Sequence, residues 1–145
     1  MPPYVIATGK RADVPSLLAL ADVFAFPTEF REGVPRALLE AGLAGLPIVA
    51  TRMPGCTDVV SHGCTGILVP PHTPRAMAQA ILGLLTDRMT ARAMGERTAE
   101  LVRREFSLSL TVARYAALYE ELLTETPRRR PAIGTDRAVA RHAGS

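Results

Sequence analysis

The sequence predicts an α/β protein, an incomplete parallel sheet followed by C-terminal helices, and three observations carry this expectation. Short β-branched or aromatic runs recur in the first half of the chain, at Tyr4–Thr8, Asp22–Phe26, Pro47–Thr51 and Gly66–Val69. Helical stretches separate several of them, and strands alternating with helices imply parallel pairing through right-handed crossovers, with both sheet faces covered. From Thr73 to about Leu123 the pattern is helical throughout. A doubly wound sheet usually has more strands than the four runs found here, so strands are expected to be missing on the N-terminal side.

Each element has its own signal. Tyr4–Thr8 is a β-branched run that stops at Gly9, and Pro15 opens a helical stretch over Ser16–Ala21 from its first turn. Asp22–Phe26 is a buried-strand pattern ended by Pro27, because proline cannot donate to a ladder. A polar loop, Thr28–Gly33, leads to a helix from Pro35 to about Ala44, with Gly45 as its stop. Pro47–Thr51 follows as an apolar strand, then a turn-rich stretch with a short helix near Thr57–Ser61, then the strand Gly66–Val69. Thr73 and Pro74 are placed as cap and first residue of a helix that presents Met77, Ile81, Leu84 and Leu85 on one face. Two more helices are expected, from about Arg88 to Glu105 and from Ser107 to about Leu123.

Composition narrows the function classes. The 145 residues are 48% hydrophobic and 21% charged, ordinary for one globular domain with a single core. No apolar run approaches the ~20 residues of a membrane-spanning helix. The start, Met-Pro-Pro-Tyr-Val, lacks the charged and apolar stretches of a secretory signal, so cytoplasmic residence is expected. The formal charge of +3 is concentrated: residues 127–145 hold five Arg and one Asp, while the rest holds 12 basic and 13 acidic side chains. A near-neutral body offers no basic face to track a nucleic-acid backbone. Cys56 and Cys64, with only His62 and His72 nearby, fall short of a paired zinc spacing and read as reduced thiols, so no metal is expected.

The chemistry concentrates between Asp22 and Thr51. A buried strand leads through an acidic loop to the helix start Glu32-Gly33-Val34-Pro35-Arg36, and Glu40 follows Glu32 by eight residues. A helix N-terminus offers free amides and a partial positive charge, which suit a pyrophosphate. Gly33 permits close approach of a ligand to the backbone, and Pro35 removes an amide that would otherwise go unused. Glu40 lies some ~10–12 Å further along the helix axis than Glu32. Two carboxylates flanking a phosphate site at that span suit a folded nucleotide sugar, one gripping sugar hydroxyls and the other the ribose diol. The spacing by itself favours a helix-start acid followed by an exposed helical glutamate.

The stretch A-D-V-F-A-F-P-T-E-F-R-E-G-V-P-R-A-L-L-E-A-G-L-A-G-L-P-I-V-A-T closely resembles the signature of family-4 glycosyltransferases. The likeness continues through P-G-C-T-D-V-V, G-C-T-G-I-L-V-P-P, A-M-A-Q-A-I, E-F-S and Y-A-A-L-Y-E-E-L-L, and spans about residues 4–123. The resemblance implies the C-terminal, donor-binding domain of the GT-B architecture, a partial Rossmann-like sheet incomplete at its N-terminus. It implies residues 1–123 as that domain and 124–145 as a disordered basic tail. The implied activity is retaining transfer of a sugar from a nucleotide-sugar donor, without a metal or other cofactor, in surface polysaccharide or glycolipid assembly.

Residue by residue, the resemblance assigns Glu32 as the catalytic-site acid that contacts the donor sugar and Glu40 as the ligand of the ribose. Gly33, Val34, Pro35, Arg36 and Ala37 would cradle sugar and pyrophosphate, and Lys10 and Arg11 would line the nucleobase. The motif itself is kept; the length is not. Family members carry an acceptor-binding domain before this one, together with the Arg and Lys that neutralise the diphosphate. The expected partners are therefore a nucleotide sugar and an acceptor domain or separate chain, and the chain by itself is expected to be inactive. A nucleotide-sugar-binding module without activity and an inactive gene fragment are the competing readings.

Other residues carry weaker signals. Arg36 stands either near a phosphate or on the helix surface, and Asp58 either touches ligand or caps a short helix. His62 and His72 lie in loops where no catalytic role is expected. The Arg128–Arg130 run suits a weak contact with an anionic membrane or a solvated tail. In the last helix Leu108, Val112, Tyr115, Ala116, Tyr119, Leu122 and Leu123 form an apolar face wider than one contact stripe, part of which should stay exposed.

Overall fold

The computed structural model describes residues 4–124, and the basic segment beyond Thr124 lies outside the described residues. The chain divides into two compact units, Met1–Thr111 and Val112–Ser145. In the first, strands β1 (Phe24–Phe26), β2 (Ile48–Thr51) and β3 (Gly66–Val69) form a parallel sheet in that spatial order. Phe24–Phe26 stand opposite Ile48–Ala50, and Ile48–Thr51 opposite Gly66–Val69. The helices are α1 (Val14–Ala19), α2 (Arg36–Leu43), α3 (Cys56–Val59), α4 (Pro74–Thr86), α5 (Arg88–Glu105) and α6 (Leu108–Thr124), the last running into the second unit.

Side-chain alternation along the strands divides the core into two layers. Ile48, Ala50 and Leu68 face Leu18 of α1, Leu38 and Ala41 of α2, Cys56 and Val59 of α3, and Val102 of α5. On the other face Val49 and Val69 meet Leu84 of α4 and Ala91 and Met94 of α5. Every residue of β2 is buried, as a central parallel strand covered on both faces should be. The α/β class and the parallel sheet therefore stand as expected.

Three details differ from the sequence reading. Tyr4–Thr8 is no strand; it has no ladder partner among the described residues and is exposed throughout, and a β-branched run without a neighbour has nothing to hold it extended. Among the described residues the sheet therefore has three strands. Thr73 occupies the N-cap position of α4, but its hydroxyl donates to the Pro70 carbonyl and caps no amide. Leu85, placed on the buried face of α4, is exposed, while Met77, Ile81 and Leu84 join the core. In α6 no residue is buried, and Val112, Tyr115, Leu118, Tyr119, Leu122 and Leu123 are exposed.

One buried polar contact ties α5 to the entry of β3. Thr98, fully enclosed, places its hydroxyl 2.5 Å from the Thr65 carbonyl and 2.7 Å from the carbonyl of Met94 in its own helix. Replacing Thr98 by Val keeps the shape and deletes the donor, leaving the Thr65 carbonyl buried without it. A loss of about 1–3 kcal/mol is expected, read from the urea midpoint, and Thr98→Ser should retain most of the stability.

Candidate functional site

The site is built at the C-terminal edge of the sheet, where open parallel sheets expose the loops that bind ligands. Pro27 ends β1, and the connection through Pro35 returns the chain to the start of α2. Three contacts and a buried proline hold this loop. The buried Thr51, at the end of β2, donates its hydroxyl to the Thr28 carbonyl at 2.5 Å. His72 Nδ1 stands 2.8 Å from a Glu29 carboxylate oxygen. Pro35 is itself buried. Gly55, with φ of 86°, lies directly against the carbonyls of Glu32 and Gly33.

Between these anchors Glu32 and Gly33 are exposed and Val34 is half-buried. Pro35 takes an extended backbone with ψ of 123°, and no side chain caps the helix. The Leu38 amide bonds to the Pro35 carbonyl at 3.1 Å. The Arg36 and Ala37 amides then stand at the helix start, where helix geometry supplies no acceptor. An uncapped first turn with a glycine before it can receive an anion through backbone donors and the helix dipole.

Glu40 lies further along α2, half-exposed, with its carboxylate 3.6 Å from the Arg36 guanidinium. Arg36 is the more exposed partner. Glu40 also lines a cavity of about 380 Å³ with Pro15, Leu18 and Ala19 of α1 and Leu43 and Ala44. α2 and α1 are thus brought together at Glu40, just beyond the loop that carries Lys10 and Arg11. Lys10 is exposed. Arg11 forks onto Asp13 through Nε at 2.7 Å and Nη2 at 2.5 Å, which holds the Asp13 carboxyl below its usual range.

The other residues singled out by the sequence take the following places. Asp58 sits in the first turn of α3, whose N-cap is Gly55, so it is not the cap. The ring of His62 accepts the Leu68 amide at 3.0 Å and braces β3. Cys56 is buried, and burial first, then the Glu32 carboxylate, pushes its thiol up, so it stays protonated at neutral pH. Cys64 is exposed and free. Among the described residues no group of three His, Cys, Asp or Glu could hold a metal ion, and no helix is long and apolar enough to cross a membrane.

Sequence reasoning missed the loop's anchors. Thr51, Gly55 and the Glu29–His72 pair all hold the Glu32 segment, yet none lies near it in a recognisable spacing. Gly55 stood within the P-G-C-T-D run, where a glycine after proline marks a turn but does not say what the turn touches.

Residues 1–87 match the family described as glycosyl transferases, group 1. The chain is 34% identical over 121 residues to the N-acetyl-alpha-D-glucosaminyl L-malate synthase of Bacillus anthracis, covering 83% of this chain and 32% of that protein. It is 36% identical over 121 residues to a GDP-mannose-dependent phosphatidylinositol monomannoside mannosyltransferase of Mycobacterium tuberculosis, covering 78% of this chain and 31% of that one. The crystal structure of Anabaena HepE with UDP and glucose superposes with a TM-score of 0.78 at 26% identity, over 83% of this chain and 33% of that one. The chain spans about a third of the length of each of these relatives. A family match over more than half of the sequence, joined to relatives of 34% and 36% identity across most of it, shows that this chain belongs to the group 1 glycosyl transferases.

Proposed function

We propose that the chain is the donor-binding part of a glycosyltransferase that moves a sugar from a nucleotide sugar with retention, in the assembly of surface polysaccharide or glycolipid. The observation that carries the reading is the meeting of Glu40 with α1 around one cavity, beside the uncapped start of α2. In this reading the nucleoside lies between α1 and α2, its ribose diol held by Glu40 and its base near the Lys10–Arg11 loop. The pyrophosphate rests on the amides of Gly33, Val34, Arg36 and Ala37, past the buried ring of Pro35. Glu32 grips the hydroxyls of the donor sugar.

Fixed amides at the diphosphate stabilise the charge that develops as the bond between sugar and phosphate breaks, without a metal in the path. The acceptor comes from an acceptor-binding domain or chain that faces this one. The HepE structures hold UDP, UDP-glucose and glucose, which supports a sugar nucleotide as the ligand and makes UDP-glucose the first probe.

The assignment of the two acids is testable in the chain as it stands. Glu40→Ala is expected to weaken both UDP and UDP-glucose, whereas Glu32→Ala weakens UDP-glucose and spares UDP. Each lost charged hydrogen bond should remove about 1.5–3 kcal/mol of binding. Titration calorimetry of both ligands against both variants checks it, and equal losses in every pairing would remove the division of roles.

A further inference from the structure

We propose that His72 is a positioning residue for the donor loop, acting through Glu29; this rests on the reading of Glu32 as the sugar-contacting acid. Glu29 lies three residues before Glu32 in the connection from β1 to α2. His72 lies in the connection from β3 to α4. β1 and β3 are not neighbours in the sheet, since β2 stands between them. The 2.8 Å contact between His72 Nδ1 and the Glu29 carboxylate therefore reaches across the end of β2 and links two loops that the ladder does not connect. Thr51, at that end of β2, secures the same loop from below through the Thr28 carbonyl. The loop is thus held at Thr28 and Glu29 on one side and by Gly55 at Glu32 and Gly33 on the other. Glu32 sits at the second support, three residues after Glu29 at the first, so releasing the first frees the segment that leads into it.

The backbone at His72 points the same way. Among the described residues His72 is the only non-glycine residue with positive φ, at 58°. A side chain in this left-handed region persists when its surroundings hold it there, and such residues gather at functional sites. Glycine would take the same turn without strain and would lack the imidazole. His72 and Glu29 also line a cavity of about 280 Å³ with Pro27, Thr51 and Met77, so the pair stands at the rim of an open space rather than inside a packed core.

The choice of variant separates positioning from plain stabilisation. His72→Gly relieves the left-handed strain, so the melting temperature should hold or rise. Binding of UDP-glucose should nevertheless weaken about two- to fivefold, the scale of one exposed pair, while UDP alone binds as before. Glu29→Gln should give a similar loss, and the double variant should lose no more than either single one, as expected for partners in one contact. Independently of any ligand, tryptic cleavage after Arg31 in the same loop should quicken several-fold in both single variants. The inference is overturned if His72→Gly binds UDP-glucose like the parent, if UDP and UDP-glucose weaken equally, if the two losses add, or if cleavage after Arg31 is unchanged. A parent chain that binds neither ligand sinks the donor-site reading and this inference with it. If Glu40→Ala and Glu32→Ala behave as expected while His72→Gly does not, only the inference fails.

Discussion

Gly95→Ala is expected to destabilise the first unit severely. A methyl group at this position in α5 would stand 1.9 Å from the Gly45 carbonyl oxygen, 2.8 Å from its carbon and 3.2 Å from the Leu46 carbonyl carbon. All three are backbone atoms, so no rotamer change relieves the overlap. Either α5 lifts away or the connection from α2 to β2 retreats. Both moves are damaging, because α5 contributes Ala91 and Met94 to one core layer and Val102 to the other.

Overpacking of this kind removes about 3 kcal/mol or more, the upper end of its range. Against a whole-domain stability of ~5–15 kcal/mol that is about a fifth to more than half of the total. The urea midpoint should fall by ~1–3 M or the cooperative transition should vanish. Gly83→Ala is the control. It sits in α4 with nothing within 4 Å of the added carbon, and should stabilise by about 0.5–1 kcal/mol through helix propensity. Two glycine-to-alanine changes in neighbouring helices that behave alike would mean that α5 does not pack against the Gly45 turn as described.

Gly55→Ala should act on both stability and function. Gly55 is the N-cap residue of α3 and takes a φ of 86°. Its added Cβ would meet the Gly33 carbonyl oxygen at 2.3 Å and that of Glu32 at 2.8 Å. The left-handed backbone alone costs about 1–2 kcal/mol for a residue with a side chain. The overlap brings the expected loss to about 2–4 kcal/mol. Relaxation must push either the turn before α3 or the Glu32–Gly33 peptide, and the second of these moves the proposed sugar contact. UDP-glucose affinity is therefore expected to fall at least about tenfold in the fraction that remains folded, since misplacing a positioned group by an ångström is costly. Calorimetry well below the melting temperature, with circular dichroism to verify folding, measures it. A folded Gly55→Ala protein with parental affinity would show that the turn does not set the geometry of the loop.

How much of this was legible in the sequence follows from the range of the forces involved. Helix and strand signals act over a few residues, and the strands at Phe24–Phe26, Ile48–Thr51 and Gly66–Val69 appeared close to their expected places. Tyr4–Thr8 failed because a strand is defined by its neighbour, and the β-branched pattern carries no information about whether one is present. Thr73 failed as a side-chain cap because its hydroxyl, turned to donate to the Pro70 carbonyl, accepts from no amide of the first turn. The candidate site was legible as a motif. Glu32, Gly33 and Glu40 were named from one contiguous stretch, and the match to the glycosyl transferases over residues 1–87 agrees with the family to which that stretch pointed.

By itself, then, the sequence determined the α/β class, the parallel arrangement, the start of α2 and the family, since hydrophobic period, Pro and Gly placement and a local motif are all short-range properties. Only the tertiary structure decided which segments meet. It brought α1 to Glu40 around a shared cavity, seated Gly55 on the carbonyls of Glu32 and Gly33, and joined Glu29 to His72 across the end of β2. These contacts link residues up to 43 positions apart, as Glu29 and His72 are. Their identity depends on strand order and helix packing, which arise from burial of the whole core and are written in no single stretch of chain.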